Sequence, residues 1–238
     1  MGAQQGDSIF EKATKAYNEG DFSNAVALYH KILEGGEHSA ALYFNMGNAY
    51  YKLNEIPESI YYFEKSLLLN PNDEEVKQNL SYAQNMTLDA IDTLPQTSLS
   101  RFYKNITNRF SFEGWAYLSI LFLTLFVVLY IAFYYFEHSS RKRWAFITSL
   151  LFLILCVVSV VFAFVAQRDY NSDNPAIIFA DEIQISAEPN ENSQEVFILH
   201  AGTKVNVLDQ LNAWYRIRLT DGKTGWIPSE ALKLLKNF

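Results

Sequence analysis

Two uncharged runs, 22 residues from Trp115 to Phe136 and 23 from Trp144 to Ala166, are separated only by Glu137 to Arg143. As a helix rising 1.5 Å per residue, each run is long enough to cross roughly 30 Å of hydrocarbon. Fifteen residues of the second run are Leu, Ile, Val or Phe. At about 0.3 kcal/mol apiece, these favour insertion into a bilayer by roughly 4 to 5 kcal/mol. Trp115 and Tyr117 at one end, Tyr134, Tyr135 and Phe136 at the other, and Trp144 at the start of the second run fall where an interfacial aromatic belt belongs. The spacing predicts transmembrane helices over 115–136 and 144–166, joined by a tight antiparallel turn over 137–143. Residues 1–113 and 167–238 then share a compartment, and the lipid bilayer is an expected partner.

The charges around the two runs argue about the side. Arg141, Lys142 and Arg143 favour a cytoplasmic turn, but Arg101, Lys104, Arg109 and Arg168 flank the opposite ends. Met1 to Gln5 has no apolar stretch of the kind an export signal needs, so either a signal has been removed ahead of it or both flanking domains are cytoplasmic. Within residues 93–114, Phe102, Ile106 and Phe110 recur every four positions among Arg101, Lys104 and Arg109. That pattern fits a short helix lying in the headgroup layer, or an ordinary juxtamembrane linker.

Charge divides the chain in the same way. Residues 1–98 hold 6 basic and 14 acidic side chains, residues 99–168 hold 7 and 2, and residues 169–238 hold 6 and 10. The acidic ends repel nucleic acid, and the basic charges of the middle sit beside apolar runs where they meet lipid headgroups, so nucleic acid is not an expected partner. Cys156 is the one cysteine and lies within an apolar run, which leaves neither an internal disulfide nor a cysteine metal site.

Residues 40–73 carry the spacing of a 34-residue helix–turn–helix repeat. Tyr43 stands at the position of the pattern's Trp and Met46-Gly47 at its Leu-Gly. Tyr50, Ser59, Phe63 and Pro71 follow at its Tyr, Ala, Phe and Pro. Small residues at Gly47 and Ser59 let the two helices approach while the aromatic side chains fill the space between them, and Pro71 ends the second helix. This segment resembles a tetratricopeptide repeat. Shifting back 34 residues puts Ala13, Tyr17, Ala25 and Tyr29 in equivalent places, with Gly20-Asp21 as the turn, so residues 6–39 read as a weaker first repeat. A capping helix over 73–90 would complete a domain of residues 1–92.

First helices of stacked repeats line a groove. Projecting the groove positions onto the first repeat gives Phe10, Thr14, Tyr17 and Asn18, and onto the second Phe44, Asn48, Tyr51 and Lys52. Asn48 suits a peptide backbone and Lys52 a carboxylate. Aromatic packing inside the domain is the other reading of Phe10, Tyr17, Phe44 and Tyr51.

After a linker over 167–175 the pattern changes to short alternating segments, with Val205 and Val207, then Tyr215, Ile217 and Leu219, at period two. Asp221-Gly222 reads as a two-residue hairpin joining Trp214–Leu219 to Thr224–Ile227, and Ala201-Gly202 as an earlier turn. A Gly-Thr turn at Gly202-Thr203, the central Trp214, and Asp221-Gly222 followed by Gly225-Trp226 resemble the bacterial SH3-like family over residues 176–235. Residues 176–238 are therefore expected to form an all-β SH3-like small barrel. Trp214, Trp226 and Pro228 are its candidate ligand groove, or else core and rim packing. The paired tyrosines with which eukaryotic relatives grip proline-rich peptides do not occur after Pro175.

Nothing in the chain reads as catalytic. His30, His38, His138 and His200 are scattered and share no motif with Cys, Ser or an acidic residue. Glu74-Glu75 and Asp181-Glu182 read as solvated surface, and no glycine-rich phosphate loop precedes a helix. The expectation is no enzyme, no cofactor and no metal. The expected fold class is multidomain: all-α tetratricopeptide helical repeats, a two-helix transmembrane hairpin and an all-β barrel.

That order of modules resembles the BatE proteins of bacterial aerotolerance operons. The resemblance implies a bacterial inner-membrane, two-pass protein with both soluble domains periplasmic and the 137–143 turn cytoplasmic. It also implies work beside membrane-bound von Willebrand factor A-type proteins and a MoxR-type ATPase in envelope or oxidative-stress tolerance. A protein-binding scaffold is the function this suggests, and a sensor of the cell wall, with peptidoglycan as the barrel's ligand, is the alternative.

Overall fold

Five helices form the amino-terminal part, and three of them start at a side-chain cap. The five are α1 (Gly2–Asn18), α2 (Phe22–Glu34), α3 (Ala40–Lys52), α4 (Ile56–Leu69) and α5 (Glu74–Gln84). Asp21 caps α2 at the Asn24 amide, Ser39 caps α3 at Leu42, and Asp73 caps α5 at Glu75 and Val76. The computed structural model describes residues 2–89, 103, 106–107 and 109–237, and its contacts divide the chain into two units, Met1–Leu94 with Asn174–Phe238, and Pro95–Asp173.

The α3–α4 pair packs as the repeat spacing predicts. A Cβ on Gly47 would lie 2.6 Å from the Phe63 ring, so only glycine permits this approach. Ser59 Oγ donates to the Gly47 carbonyl at 2.9 Å, which leaves the small residue satisfied as well as small. Tyr29, Tyr43, Met46 and Phe63 are fully buried around this pair.

Seven antiparallel strands follow: β1 (Pro175–Ile178), β2 (Glu182–Ser186), β3 (Glu195–His200), β4 (Lys204–Leu211), β5 (Trp214–Arg218), β6 (Thr224–Pro228) and β7 (Leu232–Leu234). Their order in the sheet is β3-β2-β6-β5-β4-β1-β7, consistent with an SH3-like domain. Ile185, Leu199, Val205, Ile217 and Ile227 point inward as its core. Every residue of β1 is buried, because Ala176 and Ile178 join the barrel core while Ile177 joins the core of the helical repeats. A strand buried on both faces reads as a continuous apolar run, as Pro175–Ile178 does.

One turn differs from expectation. Leu219 and Lys223 are paired, with Leu219 N donating to Lys223 O at 2.9 Å, so the β5–β6 loop has three residues, Thr220, Asp221 and Gly222. A two-residue turn of the type expected needs two left-handed residues, and only Gly222 (φ +92°) is left-handed there. The two-residue connection lies instead at Asn212-Ala213, between the paired Leu211 and Trp214, with Asn212 left-handed at φ +52°.

The second unit contains two apolar helices, α6 (Phe112–Tyr135) and α7 (Ser139–Ser172), each long and apolar enough to cross a membrane. Trp115–Phe162, Phe122–Phe152 and Phe133–Phe146 ring contacts fix an antiparallel hairpin. Ala145, Ser149 and Ser159 are buried in it, the small residues that let two helices approach where no water drives them together. The connection is shorter than the expected 137–143, because α7 already begins at Ser139 and takes Arg141–Arg143 into its first turns. It also runs on to Ser172 through the expected 167–175 linker, its 34 residues exceeding what about 30 Å of hydrocarbon requires. Most of the segment expected to lie in the headgroup layer, Phe102 included, is outside the described residues. The cap expected over 73–90 is shorter, because α5 ends at Gln84 with Asn85 as its C-cap and the chain turns there.

Candidate functional site

The groove positions of the repeats lie at the surface on α1 and α3. Asn18 and Lys52 are exposed, and Phe10, Thr14, Tyr17, Phe44, Asn48 and Tyr51 are half-buried. Several already have partners within the domain. Phe10 packs on Tyr29, Tyr17 on Phe22 and Phe44 on Phe63, at centroid separations of 5.8, 5.2 and 6.1 Å. Thr14 Oγ1 donates to the Phe10 carbonyl, and Asn48 Oδ1 accepts from Asn79 of α5 at 2.9 Å. What remains open to a ligand is part of each half-buried aromatic side chain together with Asn18 and Lys52. A shallow depression on α1 adds Glu11, Lys15 and Glu19 to Phe10, Thr14 and Asn18.

On the barrel, strand register brings the other candidate residues together. Trp214 pairs with Pro228 and Arg216 with Trp226, so all four share the face of the β5–β6 hairpin opposite to the buried Ile217 and Ile227. Trp214, Trp226 and Pro228 are each half-buried and Arg216 is exposed. The arrangement offers two indole surfaces with a cation beside them.

A third set of residues was not legible as a site. The repeats and the barrel are docked through α4 and the stretch after α5. Asp89 accepts hydrogen bonds from the His200 amide, His200 Nδ1 and Thr203 Oγ1. Glu64 of α4 is nearly buried and meets Lys204 Nζ at 2.6 Å. Tyr61 donates to the Leu234 carbonyl at 3.2 Å, and Lys65 donates to the backbone and side-chain oxygens of Asn237 at 3.1 and 2.9 Å. Gly202 is left-handed (φ +89°), and a Cβ there would lie 2.8 Å from Thr87 and 3.2 Å from Ile60, so the barrel meets the repeats at a residue without a side chain.

The electrostatics of this junction follow from burial. Burial of Asp89 pushes its carboxyl up, but the hydrogen bonds from Thr203 and His200 outweigh it and hold the group below its ordinary range. Burial brings the Lys65 ammonium down to about 8. Burial likewise pushes Tyr43 and Tyr50 up to about 12. His30 Nε2 and His38 Nδ1 sit 2.7 and 2.6 Å from the Tyr50 and Tyr43 hydroxyls, so these two histidines serve packing. His200 differs from these two in having an acidic partner, Asp89, which the fold and no sequence motif brings to it.

One signal for the docking existed. Ile60, Tyr61, Tyr62 and Phe63 are four consecutive large apolar residues, and a helix apolar on every side is covered on every side. Nothing local marks Asp89 or His200.

Residues 40–73 match the family model of the tetratricopeptide repeat, and residues 186–233 match that of the bacterial SH3 domain. No curated protein matches the chain. The two matched modules fit a protein-binding role.

Proposed function

We propose that the protein is a non-enzymatic scaffold anchored in a membrane by α6 and α7, which holds the repeats and the barrel on one side as a single two-faced platform. The observation that carries this reading is the docking of the barrel on α4. It leaves the α1/α3 face and the Trp214/Trp226 face both at the surface, and holds them at a fixed separation. Two weak contacts made from one rigid body raise each other's effective concentration, more so when partners are confined to the same plane. The membrane reading is supported by the outer faces of the hairpin, where Ile120, Leu121, Ile147, Leu151 and Val161 are among the exposed side chains.

The resemblance to the BatE proteins carries the finer proposal. In it, membrane-bound von Willebrand factor A-type proteins and a MoxR-type ATPase are the partners, in aerotolerance or envelope stress. The site of action is a bacterial inner membrane with both soluble modules periplasmic and the α6–α7 turn cytoplasmic.

Photoreactive residues placed at Phe44 and Tyr51 in intact cells test the scaffold. Discrete protein adducts that disappear with Asn18→Ala and Lys52→Ala support it, and a chain that forms none opposes it. Topology is read from cysteine reporters at Ser23, Ser139 and Asn192 in a Cys156→Ser background. Labelling of the first and last from outside, without the middle, is expected.

The shared face of Trp214, Trp226, Pro228 and Arg216 favours a second reading, a cell-wall sensor whose barrel holds peptidoglycan. Retention of the detergent-solubilised chain on isolated wall, lost with Trp214→Ala, would select this reading over the first.

A further inference from the structure

We infer that the outer edge of β3 docks an extended strand of a protein partner whose side chains alternate between aliphatic and basic. This goes beyond the scaffold reading, because β3 belongs to neither of the two faces proposed there.

The sheet has two ends. At β7 the Leu234 carbonyl accepts from Tyr61, and the repeats cover that edge. At β3 the pairing phase determines which backbone groups look outward. Ala201 N donates to Asp181 O, so the 181/201 pair and its equivalents Ile183/Leu199 and Ile185/Phe197 exchange the ladder bonds. The alternate residues, His200 and Ile198, therefore direct their amides and carbonyls away from β2. The His200 amide confirms the phase, since it donates outward to Asp89 at 2.7 Å. Two residues along, Ile198 presents the same groups, and no partner strand lies beyond it among the described residues.

An edge of this kind is a template for a further strand, and natural edges are commonly blunted by proline or lysine. Residues Glu195–His200 contain neither, and the register shift that leaves Val196 unpaired confines the regular edge to Phe197–His200. Val196 and Ile198 are instead 52% and 39% exposed, giving an incoming strand aliphatic surface as well as backbone partners.

Charge selects the occupant. From Asp181 to Thr203 there are five acidic residues, Asp181, Glu182, Glu188, Glu191 and Glu195, and no lysine or arginine. A second copy would bring the same charges to the same edge and be repelled, whereas a basic strand is attracted.

The test uses the full chain in detergent and a fluorescein-labelled heptapeptide alternating lysine and valine. Saturable binding is expected, with slowed amide exchange at Ile198. Affinity should fall at least about tenfold with Ile198→Lys or Val196→Lys, with a peptide carrying glutamate for lysine, or with alternate amides N-methylated. Both substituted positions are solvent-exposed, and an unchanged thermal transition shows that each variant is folded. Equal binding by the glutamate or N-methylated peptide, absence of binding, or binding without protection of Ile198 overturns the inference. So does a dimer of the chain that Ile198→Lys dissociates, which would assign the edge to a second copy. None of these outcomes bears on crosslinking at Phe44 and Tyr51, so the two readings fail separately.

Discussion

Asp89 and His200, 111 positions apart in the chain, are joined twice: Asp89 Oδ2 accepts the His200 backbone amide and Asp89 Oδ1 meets His200 Nδ1, both at 2.7 Å. Thr203 Oγ1 donates to the same carboxylate at 2.6 Å. The last described residue before the chain leaves the repeats is thus fastened to the barrel through three hydrogen bonds to one carboxylate.

Asp89→Asn should loosen the junction by about 1–3 kcal/mol, because a neutral amide accepts fewer and weaker bonds from three donors placed for a carboxylate. Amide exchange in α4 and at the start of β4 should quicken, with the barrel core unaffected. The pH dependence has a definite sign. A carboxylate whose folded pKa lies below its unfolded value contributes stability above the unfolded value of about 3.8, and that contribution is lost as pH falls through the lower folded one. The junction of the native chain should therefore weaken below about pH 4, and the variant should lack this step.

Lys65 acts in the opposite direction. Burial lowers it from 10.5 to about 8, so between those values the unfolded chain keeps a proton that the folded chain has released, and stability rises with pH. Tyr43 and Tyr50 are raised from 10.0 to about 12, so above pH 10 the unfolded tyrosines ionise first and stability falls. Chemical denaturation of the amino-terminal module should show a maximum near pH 10. Lys65→Met should abolish the rising limb and preserve the falling one.

What could be read from the sequence was whatever has a local period or a local breaker. Gly47 and Ser59 mark a close helix pair, 22 and 23 uncharged residues mark two long apolar helices, and alternation around Ile217 marks strands. Trp214 and Trp226 were legible as groove candidates from the resemblance to the bacterial SH3-like family, but their shared face was not, because a two-residue turn at Asp221-Gly222 would set Trp226 opposite Ile217, whereas the three-residue loop sets it opposite Arg216, on the face of Trp214. The junction was not, because a contact between Glu64 and Lys204 or between Asp89 and His200 has no period. It depends on two modules, each complete in pattern, settling against one another. The three-residue β5–β6 loop was missed for a related reason, since Asp-Gly fits both a two-residue turn and one in which only the glycine is left-handed.

Gly47→Ala should destabilise the repeats by about 1–3 kcal/mol, since its methyl would meet the Phe63 ring and force the α3–α4 pair apart. Thermal unfolding followed by tyrosine fluorescence measures this. Phe63→Leu, which removes the ring edge, should recover part of the loss when combined with it. A double variant no more stable than the sum of the single effects would locate the strain elsewhere.

Glu64 and Lys204 allow the junction's strength to be separated from the stability of either module. The Glu64 side chain is 8% exposed and that of Lys204 42%, so the pair is closed on the repeat side and reaches solvent on the barrel side. Lys204→Ala leaves a carboxylate nearly buried without its cation. The cost should be about 2 kcal/mol, below the roughly 3–5 kcal/mol of a fully enclosed pair, because water can enter where the lysine stood. Glu64→Gln removes the charge on the other side, and adding it to Lys204→Ala should cost little more than Lys204→Ala alone. The coupling energy from the four proteins, measured by amide exchange at Tyr61 and Gly202, should therefore be about 1 kcal/mol or more. Additive effects would mean that the two modules are held by the apolar contact of Ile177 and Leu235 with the repeat core, and that the ion pair only orients them.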